Sequence, residues 1–134
     1  MGPIVALAAW TMVMWAWMYA TRLPAMRAAR MKPDPTMPRG EQMALLPARV
    51  RWKADNYNHL MEQPTVFYPV ALVLVLVSID PTIDAALAWT YVALRVVHSL
   101  VQALVNKIEV RFVLFVLSSL VLIAMISRAG LALL

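Results

Sequence analysis

Two polar clusters, in segments otherwise apolar enough to cross a bilayer, contain the residue types that could do chemistry. The first is NHLMEQP at residues 58–64, and the second is RVVHS at residues 95–99. An ionisable side chain near the centre of a bilayer costs at least about 2.5 to 3.5 kcal/mol on insertion scales, so it persists mainly where it has a partner and a use. Glu62 and Arg95 carry opposite charges, and we expect them to be partners.

Helical periodicity gathers the polar residues of each segment onto one face. At about 100° per residue, a first stripe with i, i+4, i+7, i+11 spacing comprises Arg51, Asp55, Asn58 and Glu62. A second stripe comprises Tyr91, Arg95, His98, Gln102 and Asn106. We expect the two stripes to face each other and to form a charged pocket that suits a polar substrate. The alternative is a purely structural role, in which the same groups join helices by hydrogen bonds.

The composition indicates the membrane fold that must position these stripes. Of the 134 residues, 63% are hydrophobic and 14% are charged, and the mean hydropathy is +0.72. A hydrocarbon layer about 30 Å thick requires roughly 20 helical residues per crossing. Helices are predicted at about residues 3–21, 49–79, 84–106 and 110–127. These apolar helices indicate an all-α integral membrane protein. The short connections after the second and third helices favour an up-down four-helix transmembrane bundle, which forms a single domain over residues 1–134.

The long connection at about residues 22–48 determines the predicted orientation. Its prolines make its middle irregular, and its many lysines and arginines contrast with the acidic connection near residue 80. The positive-inside rule therefore predicts a cytoplasmic first loop. Basic charge beside membrane spans serves topology and contact with anionic headgroups, so no nucleic acid is expected as a partner.

The composition also excludes several kinds of site. The chain has no cysteine, and its three glycines are too few for a phosphate-binding loop. A metal or haem site formed by His59, His98 and Glu62 is a weak alternative, because the histidines lack the spacing of a local ligand pair. A small proton-coupled transporter also carries a membrane-embedded glutamate, but the basic loop and Arg95 argue against that class.

The sequence around the two stripes has a recognisable pattern that covers nearly the full length of the chain. It consists of residues 55–64 with 67–68, residues 93–99, and residues 106 and 111–112. This pattern resembles the MAPEG family, the membrane-associated proteins in eicosanoid and glutathione metabolism. Residues 10–15 and 19–22 are similar to the first helix of bacterial members, which would place the protein in a bacterial inner membrane as a multi-pass protein.

The resemblance implies a homotrimer of four-helix subunits that binds glutathione, as a cosubstrate, between neighbouring subunits near the cytoplasmic side. Glutathione is a small anionic tripeptide whose carboxylates suit arginine and whose amino group suits a carboxylate. The predicted binding residues are Arg51, Asn58, Glu62, Arg95 and Gln102. Asn58 and Glu62 are four residues apart, whereas the eukaryotic branch has a spacing of three. His98 and Gln102 stand where the eicosanoid branch has tyrosines, so leukotriene-type chemistry is poorly supported.

The same resemblance implies a reaction in which the glutathione thiolate attacks a lipophilic electrophile or hydroperoxide from the bilayer, as in a transferase or peroxidase. Arg111 is the predicted catalytic residue that stabilises the thiolate, and His98 is the predicted auxiliary donor or base. Each has a plainer alternative: Arg111 as an anchor at a helix end, and His98 as an interhelical hydrogen-bond partner. A noncatalytic relative that acts as a scaffold or binds lipid is a further alternative.

Overall fold

The computed structural model describes residues 1–32, 34–38, 40–77 and 79–134. Within these residues, every element of regular secondary structure is a helix. The helices are α1 Gly2–Ala28, α2 Glu41–Ala44, α3 Ala48–His59, α4 Pro64–Val77, α5 Pro81–Leu104 and α6 Ile108–Leu133. The spans long and apolar enough to cross a membrane are α1, α3 together with α4, α5, and α6. The predicted all-α fold with four membrane-crossing helices is confirmed. We call the end of the bundle that carries residues 29–47 the loop end.

The first and last spans extend beyond the ends expected from hydropathy. α1 continues to Ala28, seven residues past residue 21, with Pro24 inside it. Hydropathy marks the end of the apolar run, but a helix continues past a membrane surface as long as its backbone hydrogen bonds are kept. α6 continues to Leu133 instead of residue 127. Arg128 lies inside α6, and its Nε donates to the Asp84 carboxylate of α5.

Two aspartates organise the connections between helices. Asp80 caps α5 by accepting the N–H groups of Thr82 at 3.0 Å and Ile83 at 3.2 Å, so α5 begins three residues before the expected position 84. In the long loop, the Thr36 hydroxyl and N–H donate to Asp34 Oδ1 at 2.7 and 2.9 Å. These hydrogen bonds stabilise the carboxylate and hold the pKa of Asp34 below its usual value. Side-chain hydrogen bonds therefore order residues 34–36, and residues 41–44 form the short helix α2.

The second span is broken near its middle, whereas the sequence predicts one continuous helix over residues 49–79. α3 ends at His59, residues 60–63 form a turn, and α4 begins at Pro64. Pro64 has no N–H to donate to the Leu60 carbonyl, and its ring would clash with that carbonyl in a regular helix. The polar cluster therefore lies on a turn in the middle of a membrane span.

α5 is the central helix and packs against every other spanning helix. Tyr91 of α5 stacks on Phe67 of α4, with ring centroids 4.5 Å apart and an interplanar angle of 11°. Both side chains are fully buried. The Arg95 guanidinium lies 5.7 Å from the centroid of the Tyr91 ring. The centre of the bundle thus combines an aromatic layer with a buried cation one turn further along α5.

Gln63 joins the turn of the second span to the two spans that follow. Its Nε2 donates to Ser119 Oγ at 2.7 Å. Its Oε1 accepts from the Tyr91 hydroxyl at 3.3 Å and from the Ser118 hydroxyl at 3.4 Å. One half-buried amide therefore ties the broken span to both α5 and α6, which an apolar side chain of similar size cannot do.

We expect Gln63→Leu to lower the free energy of unfolding by about 1 to 3 kcal/mol, because it leaves the buried Tyr91 hydroxyl without an acceptor. The measurement is detergent-induced unfolding followed by tryptophan fluorescence. Ser119→Ala is the control, since it removes only one of the bonds to Gln63, and we expect a loss below about 1 kcal/mol for it. Equal losses for the two variants would contradict a central role for Gln63.

Candidate functional site

The outward face of α3 and the turn after it carry the first polar stripe. The exposed side chains on this face are Arg51, Asp55, Asn58 and Glu62. The opposite face, about 180° away around the helix axis, is buried against the rest of the bundle. Its buried side chains are Lys53, Asn56 and Leu60. The stripe therefore lies on the exposed side of α3.

A cavity of about 450 Å³, which we call the loop-end groove, lies beside this stripe. It is formed by α1, by α2 with its flanking residues, and by α3, and its lining includes Arg22, Met43, Leu46, Arg51, Asp55 and Asn58. Its volume falls within the range of about 300 to 1,000 Å³ that is usual for ligand pockets. The two guanidinium groups, a carboxylate and an amide can bind a small ligand that carries both negative and positive groups.

The second polar stripe faces the interior of the protomer. The side chains of Tyr91, Arg95, His98 and Gln102 are each at most 3% exposed. The expectation that the two stripes face each other is therefore wrong. Periodicity determines which residues share a helix face, but the rotation of α3 is set by its packing, and α3 turns its other face inward.

His59 stands between Glu62 and Arg95. Its Nδ1 lies 3.0 Å from Glu62 Oε2, and its Nε2 lies 3.3 Å from Arg95 Nη1. Glu62 and Arg95 were expected to pair directly, but the structure links them through His59 in a chain of three side chains. This chain runs from the surface to the interior, because the Glu62 side chain is 67% exposed and Arg95 is 1% exposed.

The imidazole of His59 is packed between two other rings. It stacks on His98 with centroids 4.8 Å apart and an interplanar angle of 28°, and the Phe115 centroid lies 5.7 Å away. Stacked imidazoles do not aim their nitrogens at one point, as ligands of a common metal must. Within the described ranges, no group of three or more His, Cys, Asp or Glu residues is placed to hold a metal ion.

Several polar atoms near the buried guanidinium have no hydrogen-bond partner among the described residues. They are Arg95 Nε and Nη2, both ring nitrogens of His98, Ser99 Oγ and Gln102 Oε1. Buried groups of this kind are commonly hydrogen-bonded to internal water molecules. The interior of the bundle around Arg95 is therefore polar. His98 and Gln102 lie in this interior region and do not line the loop-end groove.

Arg111 lies at the junction of α5 and α6, in the first turn of α6. Its Nη1 donates to Asn106 Oδ1 at 2.7 Å, and its buried Nε has no partner in the part of the chain that the structure describes. Asn106 adopts a left-handed backbone conformation with φ 56°, which asparagine tolerates better than most residues. Arg111 also lies within electrostatic range of His59 and His98. The junction thus orients a guanidinium that retains an unused donor.

The predicted site residues separate into three places. Arg51 and Asn58 line the loop-end groove, and Glu62 follows on the same face. The interior group consists of Arg95, His98 and Gln102, while Arg111 occupies the α5–α6 junction.

Sequence reasoning missed the roles of His59 and Gln63, and it did not select Arg22. Two features of the sequence indicate these roles. His59 precedes Glu62 by three residues, which places the two side chains within contact distance on a helix or turn, and Gln63 directly precedes a proline inside a span.

The family comparison covers almost the entire chain. The family model that matches is that of the MAPEG family, over residues 1–131 of the 134 residues. No curated protein and no solved structure matches the chain. The matched region includes both polar stripes, the turn between α3 and α4, and the α5–α6 junction. The resemblance seen in the sequence is confirmed, and the chain belongs to the MAPEG family.

Proposed function

We propose that this membrane protein binds glutathione at the loop-end groove and along the exposed stripe of α3. We further propose that it acts as a glutathione transferase or peroxidase on lipophilic electrophiles. The observation that carries the proposal is an outward-facing polar stripe on a membrane span, beside a groove lined by two arginines. The family's general association with glutathione supports the same ligand.

The charges along this face match the groups of the tripeptide. Arg22 and Arg51 line the groove and can donate to the two carboxylates of glutathione. The amide of Asn58 can pair with a peptide group, and the exposed carboxylate of Glu62 can accept from the ammonium group. In this proposal the buried Arg95 acts on the ligand through His59, and Gln102 supports it from the interior.

The depth of Glu62 favours an oligomer. α4 has 14 residues, which rise about 20 Å, so a hydrocarbon layer about 30 Å thick also takes in the turn that carries Glu62. A carboxylate that faced lipid at this depth would be strongly unfavourable. A neighbouring protomer that covers this face keeps lipid away from it. We therefore propose a homotrimer, as the family resemblance implies, with glutathione between two protomers.

The distribution of basic residues supports an orientation for this assembly. Residues 22–53 carry eight of the twelve lysines and arginines, so we propose that the first loop is cytoplasmic and that glutathione enters from the cytosol of a bacterial cell with the protein in its inner membrane. The outer faces of the spans expose many large apolar side chains, which suits contact with membrane lipids. Lipophilic substrates reach the site from the same bilayer.

Arg111 is the proposed catalytic residue. Lowering a thiol pKa from about 8.5 to about 6.5 requires about 2.7 kcal/mol of preferential stabilisation of the thiolate. One charge-assisted hydrogen bond in a site that excludes water can supply this amount. The proposed donor is the Arg111 guanidinium, whose buried Nε has no hydrogen-bond partner among the described residues. The sulfur then forms a bond to the electrophilic carbon, and the leaving group departs with the bonding electron pair. His98 stays a proposed auxiliary donor or base.

Calorimetric titration of the purified protein in detergent with glutathione tests the proposal. We expect saturable binding with one site per protomer, together with an ultraviolet thiolate absorbance near neutral pH. S-Methylglutathione, which has no ionisable thiol, should bind without that absorbance. A wild-type protein that shows neither heat of binding nor absorbance would contradict the proposed function.

A noncatalytic relative is the second candidate. Arg111 is not among the residues that line the loop-end groove, and His98 and Gln102 are buried inside the protomer. This separation favours a protein that binds glutathione or lipid without activating a thiol. Saturable binding of glutathione with no thiolate absorbance at any pH below about 8 would support this candidate over the enzyme.

A further inference from the structure

We propose that His59 is a positioning residue that holds the Glu62 carboxylate toward the ligand by carrying its single ring proton on Nδ1. The observation is the chain from Glu62 Oε2 through the imidazole to Arg95 Nη1, with contacts of 3.0 and 3.3 Å. The consequence for glutathione rests on the function proposed above. The protonation of the ring can be tested without any ligand.

The two partners of the ring allow only one arrangement of hydrogens. A guanidinium has N–H donors and no acceptor, so Nε2 of His59 must accept from Arg95. A carboxylate only accepts, so Nδ1 must carry the proton and donate to Glu62. An imidazolium would place an N–H on Nε2 against the Arg95 N–H. The neutral Nδ1–H tautomer is therefore the form that satisfies both contacts.

The surroundings of the ring hold it in this orientation. His98 of α5 stacks on the ring, and Phe115 of α6 lies near it. The charged groups around it are Glu62 on its own span, Arg95 of α5 and, at longer range, Arg111 of α6. A 180° flip of the imidazole would keep the stacking but would give up both hydrogen bonds.

The contact with His59 restricts the conformations of the Glu62 side chain. Its side chain is 67% exposed at a turn, so without a partner the carboxylate would sample many rotamers. A bond to a ring that is itself anchored to the buried Arg95 restricts this freedom before a ligand arrives. Binding then does not have to order the carboxylate.

The chain of three residues cannot conduct protons. A proton that passed from Glu62 through His59 would have to be replaced from Arg95, and a guanidinium does not release a proton in proteins. The arrangement is thus an anchor for a carboxylate and not a route for proton-coupled transport.

The first test reads the tautomer directly. Nitrogen NMR of the full-length protein in detergent, labelled at its two histidines, should show one ring as the neutral Nδ1–H form at neutral pH, and His59→Gln assigns that signal by removing it. In Arg95→Met the ring loses its donor at Nε2 while Glu62 still accepts from Nδ1–H, so Nε2 can take a proton and a fraction of doubly protonated ring should appear. An Nε2–H or a doubly protonated ring at His59 in the wild-type protein would overturn the proposal.

The second test uses two amide substitutions as a matched pair. His59→Asn places an amide where Nδ1 lies and keeps a donor for Glu62, whereas His59→Gln reaches the place of Nε2 and keeps only the contact with Arg95. We expect His59→Gln to weaken glutathione binding about tenfold and His59→Asn to weaken it less than about threefold, because the first variant frees the carboxylate. Thermal unfolding of both variants separates loss of folding from loss of positioning.

Equal weakening by the two variants, or the reverse ranking, would overturn the proposal. If the wild-type protein binds no glutathione, the proposed function fails, and the tautomer measurement alone then decides the role of His59. If either variant fails to fold, the tautomer in the wild-type protein and in Arg95→Met gives the decision.

Discussion

Arg111→Ala is expected to abolish the thiolate absorbance of bound glutathione near neutral pH while glutathione still binds. Without the guanidinium, the thiol pKa returns from about 6.5 toward about 8.5, and the thiolate fraction at a pH of about 6.5 falls from about one half to about one hundredth. Conjugation of a lipophilic aryl halide should slow by a similar factor, roughly 50-fold. Ultraviolet difference spectra across a pH series measure the first effect, and initial rates measure the second.

Two variants control for this result. Arg49→Ala removes an equal charge from an exposed position on α3 and should leave the thiol pKa unchanged. Asn106→Gly keeps the left-handed backbone at φ 56° but removes the amide that accepts from Arg111, so we expect an intermediate loss. Undiminished absorbance in Arg111→Ala would exclude the thiolate role and leave Arg111 as an anchor at a helix end.

Glu62→Gln should weaken glutathione binding by about 10- to 100-fold, because the charge-assisted bond to the ligand's ammonium group is lost. The same variant should change the free energy of unfolding by less than about 1 kcal/mol, since the glutamine oxygen still accepts from His59. Calorimetric titration measures the affinity, and unfolding in detergent measures the stability.

Two controls accompany Glu62→Gln: one is a second protein variant, and the other is a modified ligand. Glu109→Gln removes an exposed carboxylate at the start of α6 and should leave binding unchanged. N-Acetylglutathione has no ammonium group, so it should bind wild-type protein and Glu62→Gln alike. If Glu62→Gln lowered stability more than binding, the carboxylate would serve the bundle and not the ligand.

The two roles considered for the polar residues divide between the two stripes. The interior stripe, with Arg95 and Gln102 almost fully buried, lies where interhelical hydrogen bonds and internal water stabilise a bundle. In the proposed function, the outward stripe of α3 binds the ligand beside a second protomer. His59 is the connection between them, and it couples an interior charge to a surface carboxylate.

The membrane class, the number of spans and the membership of each stripe follow from the sequence alone. Hydropathy is a sum over neighbouring residues, and helical spacing is a property of one segment, so neither needs tertiary contacts. Pro64 also marks a helix boundary locally, because its ring and its missing N–H interrupt the helix that precedes it. The family pattern likewise resides in short segments such as residues 95–99.

Only the tertiary structure decides how those segments face one another. The packing of α5 buries Arg95, while the rotation of α3 and the turn after it leave Glu62 on the surface and bring His59 between the two. Gln63 gains its role through bonds to α5 and α6, which are far away in sequence. Periodicity leaves the rotation of a helix about its own axis undetermined, because that angle is set by packing between helices and by the break at residues 60–63.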